Sequence, residues 1–155
     1  MTINSENLVL RAWFMMHRSH DILKRCEDKV FGEYNLTAEQ YAMLTAIKYL
    51  NEPVRVTDIA RRLTRSVNSI SMLVDRMVKA DLIRRVRDVK DRRTVHVSTT
   101  SKGETLLEPA TLAGREFIQK TLSELSYEDK QTLVRLLETL EHEASEYLNK
   151  KNEQY

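Results

Sequence analysis

The stretch Val56-Thr57-Asp58-Ile59-Ala60-Arg61-Arg62-Leu63-Thr64-Arg65-Ser66-Val67-Asn68-Ser69-Ile70-Ser71-Met72-Leu73-Val74-Asp75-Arg76-Met77-Val78-Lys79 decides the fold. Ile59, Ala60 and Leu63 make a small apolar face beside arginines, as in a short surface helix. Thr64 to Ser66 reads as a tight connection, with Ser66 placed to cap a second helix. Val67, Ile70, Leu73, Val74, Met77 and Val78 then recur at helical spacing on one side, while Asn68, Ser69, Ser71, Met72, Asp75, Arg76 and Lys79 occupy the other. Two short helices joined by about three residues, the second greasy on one face and small, polar and basic on the other, predict a helix-turn-helix. A helix enters a DNA major groove about 12 Å wide only when its leading side chains are short, and Asn, Ser and Arg supply hydrogen bonds to base edges and phosphates.

Upstream, Leu8, Ala12, Met15, Met16, Ser19, Ile22, Leu23, Cys26 and Val30 fall at three- and four-residue steps, predicting a long amphipathic helix from about Ser5 to Val30. Gly32 is the expected terminator, since it tolerates positive φ. Thr37 and Gln40 have capping-box spacing, so a second helix is expected from Thr37 to about Leu50, stopped by Asn51-Glu52-Pro53.

Downstream of Leu82 the period changes to alternation, with Val86 on one side of a turn and Val95, Val97 and Thr99 on the other. A two-stranded hairpin is expected there, about 83–100, with Lys90, Arg92 and Arg93 at a basic tip able to reach phosphates or a minor groove. From Lys102 the chain returns to helix. Ser126 and Asp129 have capping-box spacing, and Leu133, Leu136, Leu137, Leu140, Ala144, Tyr147 and Leu148 form one apolar stripe. Two long terminal helices offer more apolar surface than so small a winged unit covers, so they are expected to pack together and against a second copy, with Leu8 and Ala12 joining the stripe.

With 155 residues, three Gly, two Pro and 31% charged residues, the chain suits one mostly helical domain with an appended dimerisation element. Its single cysteine, the lack of metal-ligand spacing and the lack of a signal or spanning segment lead to the expectation of a cytoplasmic protein with no membrane partner and no cofactor. The net charge of +2 conceals an asymmetry: residues 55–100 hold twelve basic against five acidic residues, and the remainder thirteen against eighteen. A basic block in an otherwise acidic chain is the footprint of a polyanion-binding surface, double-stranded DNA above all, although a charged face is also simply what water solvates.

Beyond this reading, Asp91-Arg92-Arg93-Thr94-Val95-His96-Val97-Ser98-Thr99-Thr100-Ser101-Lys102-Gly103 resembles the wing signature of the MarR family, an Asp-Arg-Arg, then a Val, then a Leu-Thr pair, then a Gly three residues later. Thr99 stands where the family usually has Leu, which is expected to weaken one core contact. Val56 to Leu63, Ser66 to Leu82 and Leu36 to Tyr41 also resemble the family's helix-turn-helix and the helix before it. The resemblance implies a mainly α fold with a small β-hairpin wing: an N-terminal dimerisation helix at 1–35, a winged helix-turn-helix at 36–101 and C-terminal dimerisation helices at 102–155. It also implies a homodimer on a pseudo-palindromic operator, with repression the more frequent mode. Ser66, Asn68, Ser69, Ser71 and Arg76 match positions that touch groove and phosphates, Arg65 a backbone contact, and Lys90, Arg92 and Arg93 the wing tip. Many members release DNA on binding a small phenolic or lipophilic effector; Trp13, Met16, His17, His20, Tyr34 and Tyr41 are the candidates to line such a space here.

Other functions leave weaker marks. There is no phosphate-cradling Gly-rich loop or nucleophile elbow, so no enzyme is expected. His17 and His20 are three apart on a helix but lack a visible third ligand. Cys26 lies too near the Leu36 segment to match the family's peroxide-sensing cysteine and reads as a small hydrophobe. The remaining alternative is a winged-helix module that docks proteins, which requires apolar anchors where this chain has Asn, Ser and Arg.

Overall fold

The computed structural model describes residues 5–87 and 95–152. In chain order it contains α1 (Ser5–Gly32), α2 (Ala38–Tyr49), β1 (Val54–Arg55), α3 (Val56–Arg62), α4 (Val67–Lys79), β2 (Ile83–Arg87), β3 (Val95–Thr99), α5 (Ser101–Thr121) and α6 (Tyr127–Asn152). The chain divides into two compact units, Met1–Arg115 and Glu116–Tyr155.

Helices α1 to α4 are closed by left-handed residues that are not glycine: Asn35, Asn51, Thr64 and Asp81, with φ of 56°, 59°, 52° and 57°. Three of these turns carry a six-to-one backbone bond of the Schellman type, from Leu36 N to Phe31 O, Arg65 N to Ala60 O and Leu82 N to Met77 O. Gly32, the terminator expected from sequence, is instead the last residue of α1, and no glycine has positive φ. Asn and Asp tolerate this conformation because their short side chains bond locally, but Thr64 is β-branched and pays about 1–2 kcal/mol at the centre of the helix-turn-helix. Helix starts agree with the sequence more closely. In α2, Gln40 N donates to Thr37 Oγ1 at 3.2 Å and Thr37 N to Gln40 Oε1 at 2.9 Å. At α6, Asp129 N donates to Ser126 Oγ at 3.0 Å and Ser126 N to Asp129 Oδ2 at 3.3 Å.

The core collects Met43, Leu44 and Ile47 of α2, Ile59 and Ala60 of α3, Ile70, Leu73, Val74 and Met77 of α4, and Ile83 and Val97 of the sheet. Full burial of such side chains stabilises by roughly 1.5–3 kcal/mol each, and on α4 it fixes the helix's rotation about its own axis. Val67 departs from the expected buried face: it lies at the margin of the Ile70–Leu73–Met77 stripe in the first turn and stays exposed. The long α1 reaches this core only at its C-terminal end. Phe31 is buried there and stacks on Tyr41 with centroids 4.0 Å apart, whereas Leu8, Trp13, Phe14 and Ile22 are exposed. Asp28 Oδ1 accepts from Ala38 N at 2.9 Å, placing a carboxylate at the positive start of α2.

The hairpin forms as expected, with Ile83 opposite Thr99, Arg85 opposite Val97 and Arg87 opposite Val95. A third strand accompanies it, β1, pairing Val54 with Val97 and Arg55 with His96, so the order is β1-β3-β2. Two residues are too few to show periodicity. As the central strand, β3 is covered on both faces, and Val97, Ser98 and Thr99 are all buried.

The sheet hands over to α5 at a close contact. Thr100 N donates to Leu82 O at 3.1 Å, Thr100 Oγ1 to Asp81 O at 2.6 Å, and Gly103 N to Thr100 Oγ1 at 3.1 Å, which caps the helix. Lys102 Nζ adds a bond to Ala80 O at 2.8 Å. A Cβ on Gly103 would lie 2.2 Å from Leu82 O, a backbone atom that cannot swing aside, whereas one on Gly114 would meet the movable Phe31 ring at 3.1 Å. Gly103→Ala is therefore expected to cost about 1–3 kcal/mol or more in urea denaturation, and Gly114→Ala less. A wild-type midpoint for Gly103→Ala would contradict this packing.

Candidate nucleic-acid interface

Burial of one side of α4 leaves Asn68, Ser69, Met72, Asp75, Arg76 and Lys79 exposed on the other. Ser66 caps the helix, its Oγ accepting from Ser69 N at 3.1 Å and lying 2.8 Å from Ser69 Oγ. The first turn has no acidic residue, so the positive end of the helix dipole is left for an anion. Ser71 is half-buried and its hydroxyl donates to Val67 O at 2.8 Å, so its first bond is local.

Two arginines are held beside this face by one carboxylate. Arg65 Nη1 lies 3.1 Å from Glu39 Oε1 and Arg76 Nη2 3.6 Å from Glu39 Oε2. Around them is a cleft of about 360 Å³ lined by Glu39, Leu63, Arg65, Ser69, Met72 and Arg76 among others. Glu39 accepts a hydrogen bond from Arg65 and only neighbours Arg76, and both guanidiniums stay largely exposed, with N–H donors to spare for a group such as a phosphate oxygen. Arg85 of β2 hydrogen-bonds Asp75 of α4, tying the hairpin to the helix. Arg62 stacks over Tyr49 at 3.9 Å and Arg61 pairs with Asp58 at 3.5 Å. Lys90, Arg92 and Arg93, the expected wing-tip contacts, lie outside the described residues.

A polar cluster holds the base of the hairpin, and no pattern in the sequence announced it. Thr99 N donates to Glu52 Oε2 at 2.7 Å and Thr99 Oγ1 to Glu52 Oε1 at 2.8 Å. Lys48 Nζ bridges Glu52 at 3.2 Å and Glu104 at 2.6 Å, so α2, β3 and α5 meet on four side chains. Thr99 is thus not merely a weakened leucine contact: its hydroxyl and amide anchor a carboxylate. Burial opposes the charge on Glu52, but the two bonds from Thr99 and the Lys48 ammonium outweigh it and its pKa lies below the ordinary glutamate value. The hydrogen bond from Lys48 lowers Glu104 likewise, and the bonds to Glu104 and Glu52 raise Lys48.

The remaining sequence candidates are scattered. Tyr34 and Tyr41 are half-buried near the α1–α2 junction. Trp13, Met16, His17 and His20 sit far along α1, Trp13 being about 27 Å from Phe31 at 1.5 Å per residue. Trp13 and His17 rings meet edge-on at 4.5 Å. Within the single chain Trp13 thus lies well away from Tyr34 and Tyr41, because α1 is one unbroken helix. A second cleft, about 520 Å³, is lined by Lys48, Glu104, Leu107, Thr111 and Arg115 among others, none of them among the six. Cys26 is half-buried, and among the described residues no three potential ligands cluster for a metal. Leu8 and Ala12 on α1, and Leu133, Leu136, Leu137, Leu140, Ala144 and Leu148 on α6, are exposed in the single chain. Among the described residues no helix is long and apolar enough to cross a membrane.

A model described as the MarR family matches residues 36–95. Over 140 residues the chain is 31% identical to the HTH-type transcriptional regulator MgrA of Staphylococcus aureus, covering 90% of this chain and 93% of that one. Among solved structures, the organohalide-sensing transcriptional regulator RdhR in its 2,4-dichlorophenol-bound form aligns with a TM-score of 0.81 at 22% identity, covering 92% of this chain and 82% of that one. The S. aureus MepR–DNA complex aligns at 0.74 with 24% identity, covering 86% and 95%. At such identities the structural likeness speaks to the fold alone.

The Glu52 cluster makes a pH prediction. A depressed carboxyl pKa contributes stability that is complete above the unfolded value, about 4.3, and is lost as pH falls through the folded value; the raised Lys48 contributes below its ordinary pKa and loses that only in strong alkali. Thr99→Val, which removes a bond to a partly buried charge, is expected to cost about 1–3 kcal/mol near neutrality and to flatten the acid-side loss as the Glu52 pKa returns toward its ordinary value. Denaturation midpoints tracked from neutral to acid solution check this; an acid profile identical to wild type would contradict it.

Proposed function

The chain belongs to the MarR family, and from that premise we propose that it is a sequence-specific DNA-binding transcriptional regulator, acting in the cytoplasm as a homodimer on a pseudo-palindromic operator and serving as a repressor. The observation that carries this reading is the outward face of α4, short and polar at its start and flanked by Arg65 and Arg76, with its opposite face buried. The role is binding rather than catalysis.

In this reading residues 36–101 form the DNA-binding unit, and α1 together with 102–155 supplies dimerisation. Arg65 and Arg76 take phosphates, Ser66 and Ser69 the phosphate or base edges at the helix start, and Asn68 a base edge, for which adenine offers a bidentate partner. Ser71 contributes from the margin. Lys90, Arg92 and Arg93 reach the flanking strand from the wing. The exposed leucines of α1 and α6 are apolar surface that a second copy covers, and that copy spaces two α4 helices about one turn of DNA apart. A small aromatic or lipophilic effector releases the complex, a role in keeping with the dichlorophenol held by the similar RdhR; a space lined by all six of Trp13, Met16, His17, His20, Tyr34 and Tyr41 requires the second protomer.

Selection of bound fragments from genomic DNA, then competition against random DNA at moderate salt, tests the assignment. A recovered pseudo-palindrome that outcompetes random sequence is expected; the absence of any such sequence would favour a winged helix that docks proteins. In the same assay the double variant Leu136→Arg with Leu140→Arg is expected to sediment as a monomer and to lose operator affinity by 10²-fold or more, on the order expected when two half-sites are no longer linked. A variant that still sediments as a dimer would contradict the interface.

A further inference from the structure

Met72 is an apolar side chain on a face that is otherwise polar. It is 60% exposed, and at about 100° per residue it points about 150° away from the centre of the buried Ile70–Leu73–Val74–Met77 stripe. Asn68 lies one turn before it and Arg76 one turn after, on the same ridge. Met72 also edges the cleft that holds Arg65, Ser69 and Arg76. Among the described residues of this unit the ridge stays open to solvent, so the core does not account for a methionine there.

We propose that Met72 reads the C5 methyl group of a thymine in each operator half-site. The inference rests on the DNA-binding reading above and adds to it a determinant of sequence preference. An A·T pair shows two features in the major groove, the N6/N7 edge of adenine and the methyl of thymine. An asparagine suits the first, and an unbranched, polarizable thioether one helical turn away suits the second, because it shapes itself to a small apolar target without requiring a fixed rotamer. The occupant is DNA rather than an apolar protein surface because the side chain shares its cleft with the exposed Arg65 and Arg76, while the two nearby carboxylates, Glu39 and Asp75, are each already paired with arginine, a setting that favours a polyanion over a hydrophobic partner.

The test uses the full-length protein and the operator recovered by selection. Each thymine is replaced singly by deoxyuridine, which deletes only the methyl group, and affinity is measured for wild type, Met72→Ala and Met72→Gln. Loss of one buried methyl is expected to weaken wild-type binding about fourfold at one thymine per half-site, and roughly fifteenfold when both symmetric positions are changed. Both variants are expected to bind the all-thymine operator more weakly, to show no penalty for uracil at that position, and to bind random DNA as wild type does. A uracil scan identical in wild type and variants, or variants with undiminished operator affinity, overturns the assignment while leaving the DNA-binding reading intact. A selection that returns nothing above random DNA overturns both.

Discussion

Burial of Ile70, Leu73, Val74 and Met77 along one side of α4 is the constraint from which the rest of the molecule takes its meaning. A helix of 13 residues is marginal alone, so α4 exists because α2, α3 and the sheet cover that stripe. Once the stripe is covered the opposite side has no choice but to face out, and residue types that contribute nothing to the core acquire a role. Ser66 sets where the helix begins. Arg65 is held by a hydrogen bond to Glu39, with Arg76 beside the same carboxylate, so in the proposed DNA-binding role less of Arg65's side-chain freedom remains to be lost.

A second layer of constraint keeps the hairpin and α5 in step with that helix. Asp75 and Arg85 join α4 to β2, Glu52 and Thr99 join the end of α2 to β3, and Thr100, Lys102 and Gly103 seat α5 on the turn that closes α4. Displacement of the start of α5 therefore strains the C-terminal end of α4 through a backbone contact with no slack. This is a physical route by which an event on α5 reaches α4. An effector using it shifts the equilibrium only by its difference in affinity for the two arrangements.

Much of this was legible in the sequence because it depends on local chemistry. Capping boxes at Thr37 and Ser126, the N-cap at Ser66, the helical period of α4 and the alternation of the hairpin each come from neighbours a few residues apart. What escaped depends on residues distant in sequence or on choices the chain makes between equivalents. Glu52 and Thr99 are 47 positions apart, β1 is two residues long, and Glu39 meets Arg65 across 26 positions. Gly32 was the obvious terminator, yet Asn35 takes the left-handed turn because Asn bears that conformation nearly as well. Met72 was visible on the polar face, but only its exposure gives it weight. Of the six aromatic, methionine and histidine candidates, four lie along α1, Tyr34 in the turn after it and Tyr41 on α2, a spread along the chain that local spacing does not reveal.

Chemical methylation of guanine N7 on the selected operator, with and without bound protein, tests most directly whether α4 lies in the major groove, since N7 is exposed only there. Two protected patches are expected, their centres about 10 base pairs apart, one for each protomer. Guanines that remain fully reactive throughout a saturated complex would contradict that placement of α4.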